Sequence, residues 1–296
     1  MIEMLGFDFM QRAIPAAVLI GLAAPAVGTF MVQRRLALLG DGIGHVALTG
    51  VAIGFLTGTA PVLTAIIVAV LGAVAMELIR VRARTGGDVA LALLFYGGIA
   101  GGVLLIGLAP GQSGSTLTAY LFGSVTSVDQ TDVYLVAALA VLVVGVMLLF
   151  GRQLFVLCQD EEVARAHGLP VRFLSLLIAV TAALTVVIAM RVVGLLLVSA
   201  LMVVPVVTAQ QLTRSFRVTL VLAMAIGALS ALAGLSTAFY VDVAPGAAIV
   251  LMALSGFIVA VAVGWALRGL RARRLAAPRP AAAPPPSATP RESVTR

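Results

Sequence analysis

Two ionisable residues, Asp41 and His45, stand inside an otherwise apolar run, in Gly-Asp-Gly-Ile-Gly-His (Gly40 to His45). Four positions apart on a helix, they share one face with their β-carbons about 5–6 Å apart. At a rise of about 1.5 Å per residue, they lie about 9–15 Å in from the Arg34-Arg35 boundary. A carboxylate at a bilayer centre costs about 2.5–3.5 kcal/mol, so a pair kept there marks an ion path more often than packing. A carboxylate and an imidazole together suit a divalent first-row cation. The plainer alternative is that Asp41 caps the cytoplasmic end of a helix while His45 hydrogen-bonds within a bundle. Two ligands are too few for a tight site, but a homodimer with this face on its two-fold axis would present two Asp and two His. Gly40, Gly42 and Gly44 remove side-chain bulk, so a helix or an ion can approach. Their spacing, with no preceding strand, does not make a dinucleotide fingerprint.

The elements that position this pair follow from composition. Of 296 residues 61% are hydrophobic and 10% charged, with mean hydropathy +1.16, where a soluble domain carries about 25% charged residues. Apolar runs break at Arg, Pro and Gly clusters into nine expected spans, approximately 13–33, 36–58, 62–79, 89–109, 133–150, 173–190, 192–212, 218–241 and 246–267. Each is near the roughly 20 residues a helix needs to cross a bilayer. The fold expected is an all-α polytopic bundle, with residues 1–267 as the transmembrane domain and 268–296 as a disordered cytoplasmic tail rich in Arg, Pro and Ala. The runs do not alternate as barrel strands would. The stretch Gly111 to Asp132 is too polar for a span, and its apolar part, Leu117 to Val128, reads as an interfacial or partly re-entrant helix on the outer side.

All 19 basic residues are arginine. With the C-terminus inside, 17 of them face the cytoplasm and only Arg12 and Arg191 lie outside, which by the positive-inside rule puts the N-terminus outside. The net charge of +7 comes mostly from the tail, where 7 Arg face one acid, so it is no signal for nucleic acid. The lack of lysine excludes a Walker A loop and a Schiff-base enzyme. The single cysteine, Cys158, forms no internal disulfide or metal cluster. With two His, no nucleophile-base constellation emerges, so the chain is not expected to be an enzyme.

Three further groups carry weaker signals. Gly151 to Arg172 holds a short helix with acids in its first turn and Gly168 as its stop, suited to docking a soluble partner or simply solvated; His167 reads as a capping or surface residue. Asp129, Asp132 and Asp242 could draw cations to an outer mouth or be ordinary loop acids. Gly97/Gly101 and Gly98/Gly102 fit close helix packing, and Met202 with Pro205 could mark a kink lining a cavity.

Four segments in order carry a family resemblance: Arg34 to Gly54 around Gly-Asp-Gly-Ile-Gly-His; Asp160-Glu-Glu-Val-Ala-Arg-Ala-His-Gly-Leu-Pro; Val193 to Pro205; and Asp242-Val-Ala-Pro-Gly-Ala-Ala-Ile-Val-Leu. From about Phe9 to Trp265 the chain resembles the membrane permeases of zinc, manganese and iron ABC importers. The resemblance implies a homodimeric permease in a bacterial plasma membrane, bearing separate cytoplasmic ATP-binding subunits and fed by an extracellular metal-binding receptor. It carries the metal path onto Asp41 and His45. It makes the segment Asp160 to Gly168 the helix that docks on the ATPase, with Asp160, Glu161, Glu162, Ala164, Arg165 and Gly168 as its contact and capping residues. No permanently bound cofactor is implied; zinc foremost, or manganese or iron, is the transported substrate. Gly44 stands where many relatives have Ser, and Pro205-Val-Val-Thr-Ala replaces a commoner Pro-Ala-Ala-Thr-Ala; neither change removes a ligand. Rival readings are a permease for a chelate such as B12 or an iron-siderophore, and an ion-driven secondary transporter working alone.

Overall fold

The computed structural model describes residues 4, 6–82, 87–109, 119–126 and 128–275, and these form helices and connections without a strand. The main helices are α1 (Asp8–Gln33), α2 (Leu39–Thr57), α3 (Pro61–Arg82), α4 (Gly87–Leu108), α5 (Gln130–Leu149), α6 (Gly151–Gln159), α7 (Glu161–Ala166), α8 (Val171–Met190), α9 (Leu195–Leu212), α10 (Phe216–Val241) and α11 (Pro245–Leu275). Eight are long and apolar enough to cross a membrane, and α9 supplies a shorter apolar helix, Leu197–Leu212. The nine expected spans therefore each find a helix among the described residues.

Small residues decide which helices lie inside. In α1, Ala13, Ala16, Ala17, Ala23, Ala24 and Ala26 are buried, and α8 buries a comparable face of Ala, Thr and Val. Lipid gives no hydrophobic contrast between helices, so association rests on close van der Waals contact, which small side chains allow. Helices α5 and α10 pack on α1, α2 and α3 pack on α8, and α11 closes over α9 and α10. By contrast α4 leans chiefly on α2 and leaves Leu93, Tyr96, Val103 and Leu104 exposed.

The α2–α4 contact positions the site, and one glycine sets its closeness. A Cβ at Gly98 would stand 2.7 Å from the Val46 nitrogen and 2.8 Å from the His45 carbonyl carbon, so no larger residue fits without separating the helices. Thr49 Oγ1 donates to the Gly98 carbonyl at 3.0 Å and fixes the register. Of the expected small-residue pairs, Gly98 and Gly102 face α2, Gly101 makes ordinary contact with Thr49, and Gly97 faces open space.

Two expectations change. Helix α11 continues to Leu275, so residues 268–275 are helical and not tail. Ala, Leu and Arg are good helix formers, and the first proline after this stretch is Pro278. The rest of the expected tail, 276–296, lies outside the described residues. Of the expected outer-side helix, residues 119–122 form one helical turn, and Ser124 N–H donates to the Arg191 carbonyl at 3.3 Å, tying it to the α8–α9 corner; residues 110–118 and 127 lie outside the described set.

Overpacking costs about 1–3 kcal/mol. Gly98→Leu is therefore expected to lower the thermal midpoint of the detergent-purified chain by several degrees, while Gly97→Leu, with the same added bulk on an open face, leaves it at the wild-type value. Equal midpoints for the two would contradict the α2–α4 contact.

Candidate functional site

Asp41 lies in the first turn of α2, where a carboxylate also favours the helix dipole. Its carboxylate accepts a hydrogen bond from Ser199 Oγ of α9. It opens on a cavity of about 340 Å³ shared with Leu38, Leu91, Ala92, Phe95 and Tyr96. His45, one turn further in, does not line that cavity. Phe95, which does, meets the imidazole edge-on with ring centroids 4.8 Å apart. His45 Nδ1 is buried and has no hydrogen-bond partner among the described residues. A buried nitrogen left unsatisfied costs about 1–3 kcal/mol.

Among the described residues no three His, Cys, Asp or Glu side chains come together as a metal site. Asp41 and His45, four residues apart on α2, are the two such side chains the sequence singled out, and two are too few for a closed site. Full coordination would need water, backbone oxygen or a second copy of the chain.

The expected docking helix forms as α7. The Asp160 carboxylate accepts from Glu162 N–H at 2.8 Å and Val163 N–H at 3.2 Å, capping the start as acids at a helix N-terminus do. Gly168, at φ +74, ends it, and Leu169 N–H returns to the Ala164 carbonyl at 3.1 Å, the left-handed closure that glycine accommodates most readily. Ala164 is buried, Glu162 and Arg165 are exposed, and His167 Nδ1 lies 2.8 Å from the Val163 carbonyl as a capping residue.

Glu161 is the hub. It lies 3.1 Å from Arg34, 3.1 Å from Arg165 and 4.0 Å from Arg80. Arg80 also grips the buried Glu77 through two hydrogen bonds of 2.9 and 2.7 Å, the bidentate geometry that makes such pairs strong. Arg34 donates to Ser175 Oγ of α8 at 2.7 Å. Burial, and then Arg80, pull the Arg34 guanidinium below its ordinary value, with Glu77 and Glu161 opposing. One ionic cluster thus joins the docking helix to the α1–α2 corner, to α3 and to α8, and Arg34 lies seven residues before Asp41.

Sequence reading missed Glu77, Arg80, Ser199 and Phe95 as parts of these sites. Glu77 was legible: it is a carboxylate inside an expected span, three residues from Arg80. Ser199 and Phe95 carried no signal, because only packing brings α9 and α4 to α2. Met202 is fully buried and lines none of the cavities described here. The outer acids have structural roles: Asp129 and Asp132 make a reciprocal cap at the start of α5, Asp132 pairs with Arg191, and Asp242 ends α10 at φ 55. The Asp132 backbone N–H holds the Asp129 carboxyl below the usual carboxylate range.

The match of the ABC 3 transport family model covers residues 6–264. The chain belongs to that family. The "Manganese transport system membrane protein MntC" of Halalkalibacterium halodurans is 35% identical over 258 residues, covering 87% of this chain and 88% of the relative. The "Chelated iron transport system membrane protein YfeD" of Yersinia pestis is 30% identical over 258 residues, covering 87% and 86%. Among solved structures, "PsaBC from Streptococcus pneumoniae in complex with Fab" aligns with TM-score 0.79 and 32% identity over 87% of this chain and 92% of that one. The chain is accordingly a multi-pass ABC permease, a transport subunit and not itself an enzyme, and the long shared coverage includes both the α2 pair and α7.

One pH effect follows from α6. Burial pushes the Cys158 thiol up to about 11, with Arg34 pulling the other way. Because the folded value lies above the ordinary 9.0, its contribution to stability is complete below pH about 9 and is lost as pH rises through about 11. Alkylation of the native chain at pH 8 is expected to be far slower than that of the denatured chain; equal rates would contradict this burial.

Proposed function

We propose that the chain is the membrane subunit of a bacterial importer for a divalent transition metal, manganese before iron, with Asp41 and His45 as ligands on the path. The observation that supports this most is the buried, unpartnered His45 Nδ1 one helical turn from Asp41, since an intramembrane ionisable pair is expensive unless it serves transport. The named relatives favour manganese over zinc, which the resemblance had put first; the Irving–Williams order makes ligand type a poor selector.

On this reading two copies meet with their α2–α4 faces toward the two-fold axis. The exposed apolar flank of α4 supports that face, and the two half-sites together supply four protein ligands. The arginine distribution supports an N-terminus outside and the α7 end inside. ATP hydrolysis is assigned to a separate cytoplasmic subunit docked on α7, and delivery to an outer metal-binding receptor. The Glu161 cluster would carry movement of α7 to the start of α2, so that access to Asp41 switches with the nucleotide cycle.

A chelate path is the second reading, and the relative named for chelated iron gives it a specific basis. A carboxylate–imidazole pair favours the bare ion, because a chelate already satisfies its metal's ligand positions.

Metal content of manganese-starved cells expressing the permease with its ATPase and receptor tests the proposal. Wild type is expected to accumulate manganese, and Asp41→Asn, at matched membrane levels, to lose at least about tenfold of it, the loss typical of disturbing a metal's ligand surroundings. Undiminished uptake by Asp41→Asn would reject the path. Glu161→Gln is expected to keep ATP hydrolysis while lowering metal imported per ATP consumed; an unchanged ratio would reject the cluster as the mechanical link.

A further inference from the structure

A second cavity, larger than the one at Asp41, lies away from it. A groove of about 640 Å³ runs between the α5–α6 corner and the start of α10, at the same end of the bundle as α7. Its volume is in the range of small-molecule sites. The wall is apolar and aromatic: the Phe216 ring sits 5.3 Å from Phe30 and 4.8 Å from Phe155, and Leu220 and Val221 continue it along α10. Arg152 and Arg217 stand at its mouth, both exposed, and neither has an ion-pair or hydrogen-bond partner among the described residues. Ser215 is there too, with no capping bond from its side chain.

Polar and apolar parts of the lining are ordered along α10. Arg217 precedes Val221 by one turn, a depth difference of about 6 Å, and the exposed Leu148 and Val221 face where acyl chains run. The positive-inside rule, applied to the arginines, assigns the end of the bundle that bears both guanidiniums to the cytoplasmic side. A free inorganic anion would use the arginines and leave the aromatic wall idle, whereas a zwitterionic lipid would leave two positive charges half-answered. Basic pockets between transmembrane helices on the cytoplasmic side are suited to phosphate-bearing headgroups.

From the charge and the wall together we infer that this groove binds an anionic phospholipid. Its phosphate bridges Arg152 and Arg217 beside Ser215, and one acyl chain lies over Phe216, Leu220 and Val221. The bound lipid joins α6, which leads into the docking helix, to α10. The inference does not depend on which metal is carried.

Native mass spectrometry of the full-length chain in mild detergent, with phosphatidylglycerol or phosphatidylcholine added separately, tests it. Wild type is expected to retain phosphatidylglycerol preferentially. Arg152→Gln with Arg217→Gln should weaken that retention by about thirtyfold, from the typical contribution of two arginines near an anionic headgroup. Arg214→Gln, which removes an exposed charge outside the groove, should leave it unchanged. Val221→Trp, which fills the apolar wall and keeps both charges, should also reduce retention. Thermal midpoints in lipid-free detergent show whether each variant is folded. Equal retention of phosphatidylcholine, wild-type retention by the double variant or by Val221→Trp, an equal loss in Arg214→Gln, or displacement of the lipid by inorganic phosphate would each overturn the inference.

Discussion

In hydrocarbon, an ionisable side chain is costly unless another group answers it, and the few that this chain keeps at its helices sort themselves by how they are answered. Glu77 has Arg80, Asp132 has Arg191, and Arg34 has Ser175 and Glu161. Those groups are satisfied within the fold and hold helices together. Among the described residues Asp41 has the Ser199 hydroxyl, and His45 Nδ1 has no hydrogen-bond partner. The contrast separates groups that build the bundle from the pair we propose as the path of the transported cation.

The same constraint explains how chemistry and mechanics can be linked. A short helix outside the membrane would slide freely if its contacts were only apolar. Here Glu161 ties α7 to Arg34, which begins the corner leading into α2. Each bond in the cluster is modest by itself, since partly exposed ion pairs contribute little in water. Their value lies in geometry: bidentate Arg80 and the buried Arg34 restrict how α7 can move without α2 and α3 following. The close α2–α4 approach at Gly98 then holds the turn bearing His45 against a helix whose other side is exposed.

Much of the architecture was legible because the bilayer permits so few solutions: every expected span has a helix, and the Asp160-to-Gly168 segment carries its start and stop in its sequence. The two-ligand pair was legible because its spacing matches a helical turn. What the sequence did not disclose depends on three-dimensional packing. Ser199 lies 158 residues from Asp41, and Phe95 reaches His45 only because Gly98 lets α4 approach. Glu77 shows a different failure: it was visible as a charge in an apolar run three residues before Arg80, yet it was not singled out. Residues 268–275, which were assigned with the tail, continue α11 as helix, as Arg and Ala favour.

The central claim is that His45 and Asp41 bind the transported ion directly, and manganese offers a direct probe through its unpaired electrons. Electron spin-echo spectra of Mn²⁺ added to the purified permease are predicted to show nitrogen modulation from a bound imidazole. With two histidines in the chain, His45→Ala should abolish that modulation and His167→Ala should preserve it. A spectrum without imidazole nitrogen, or one lost only with His167, would contradict the account.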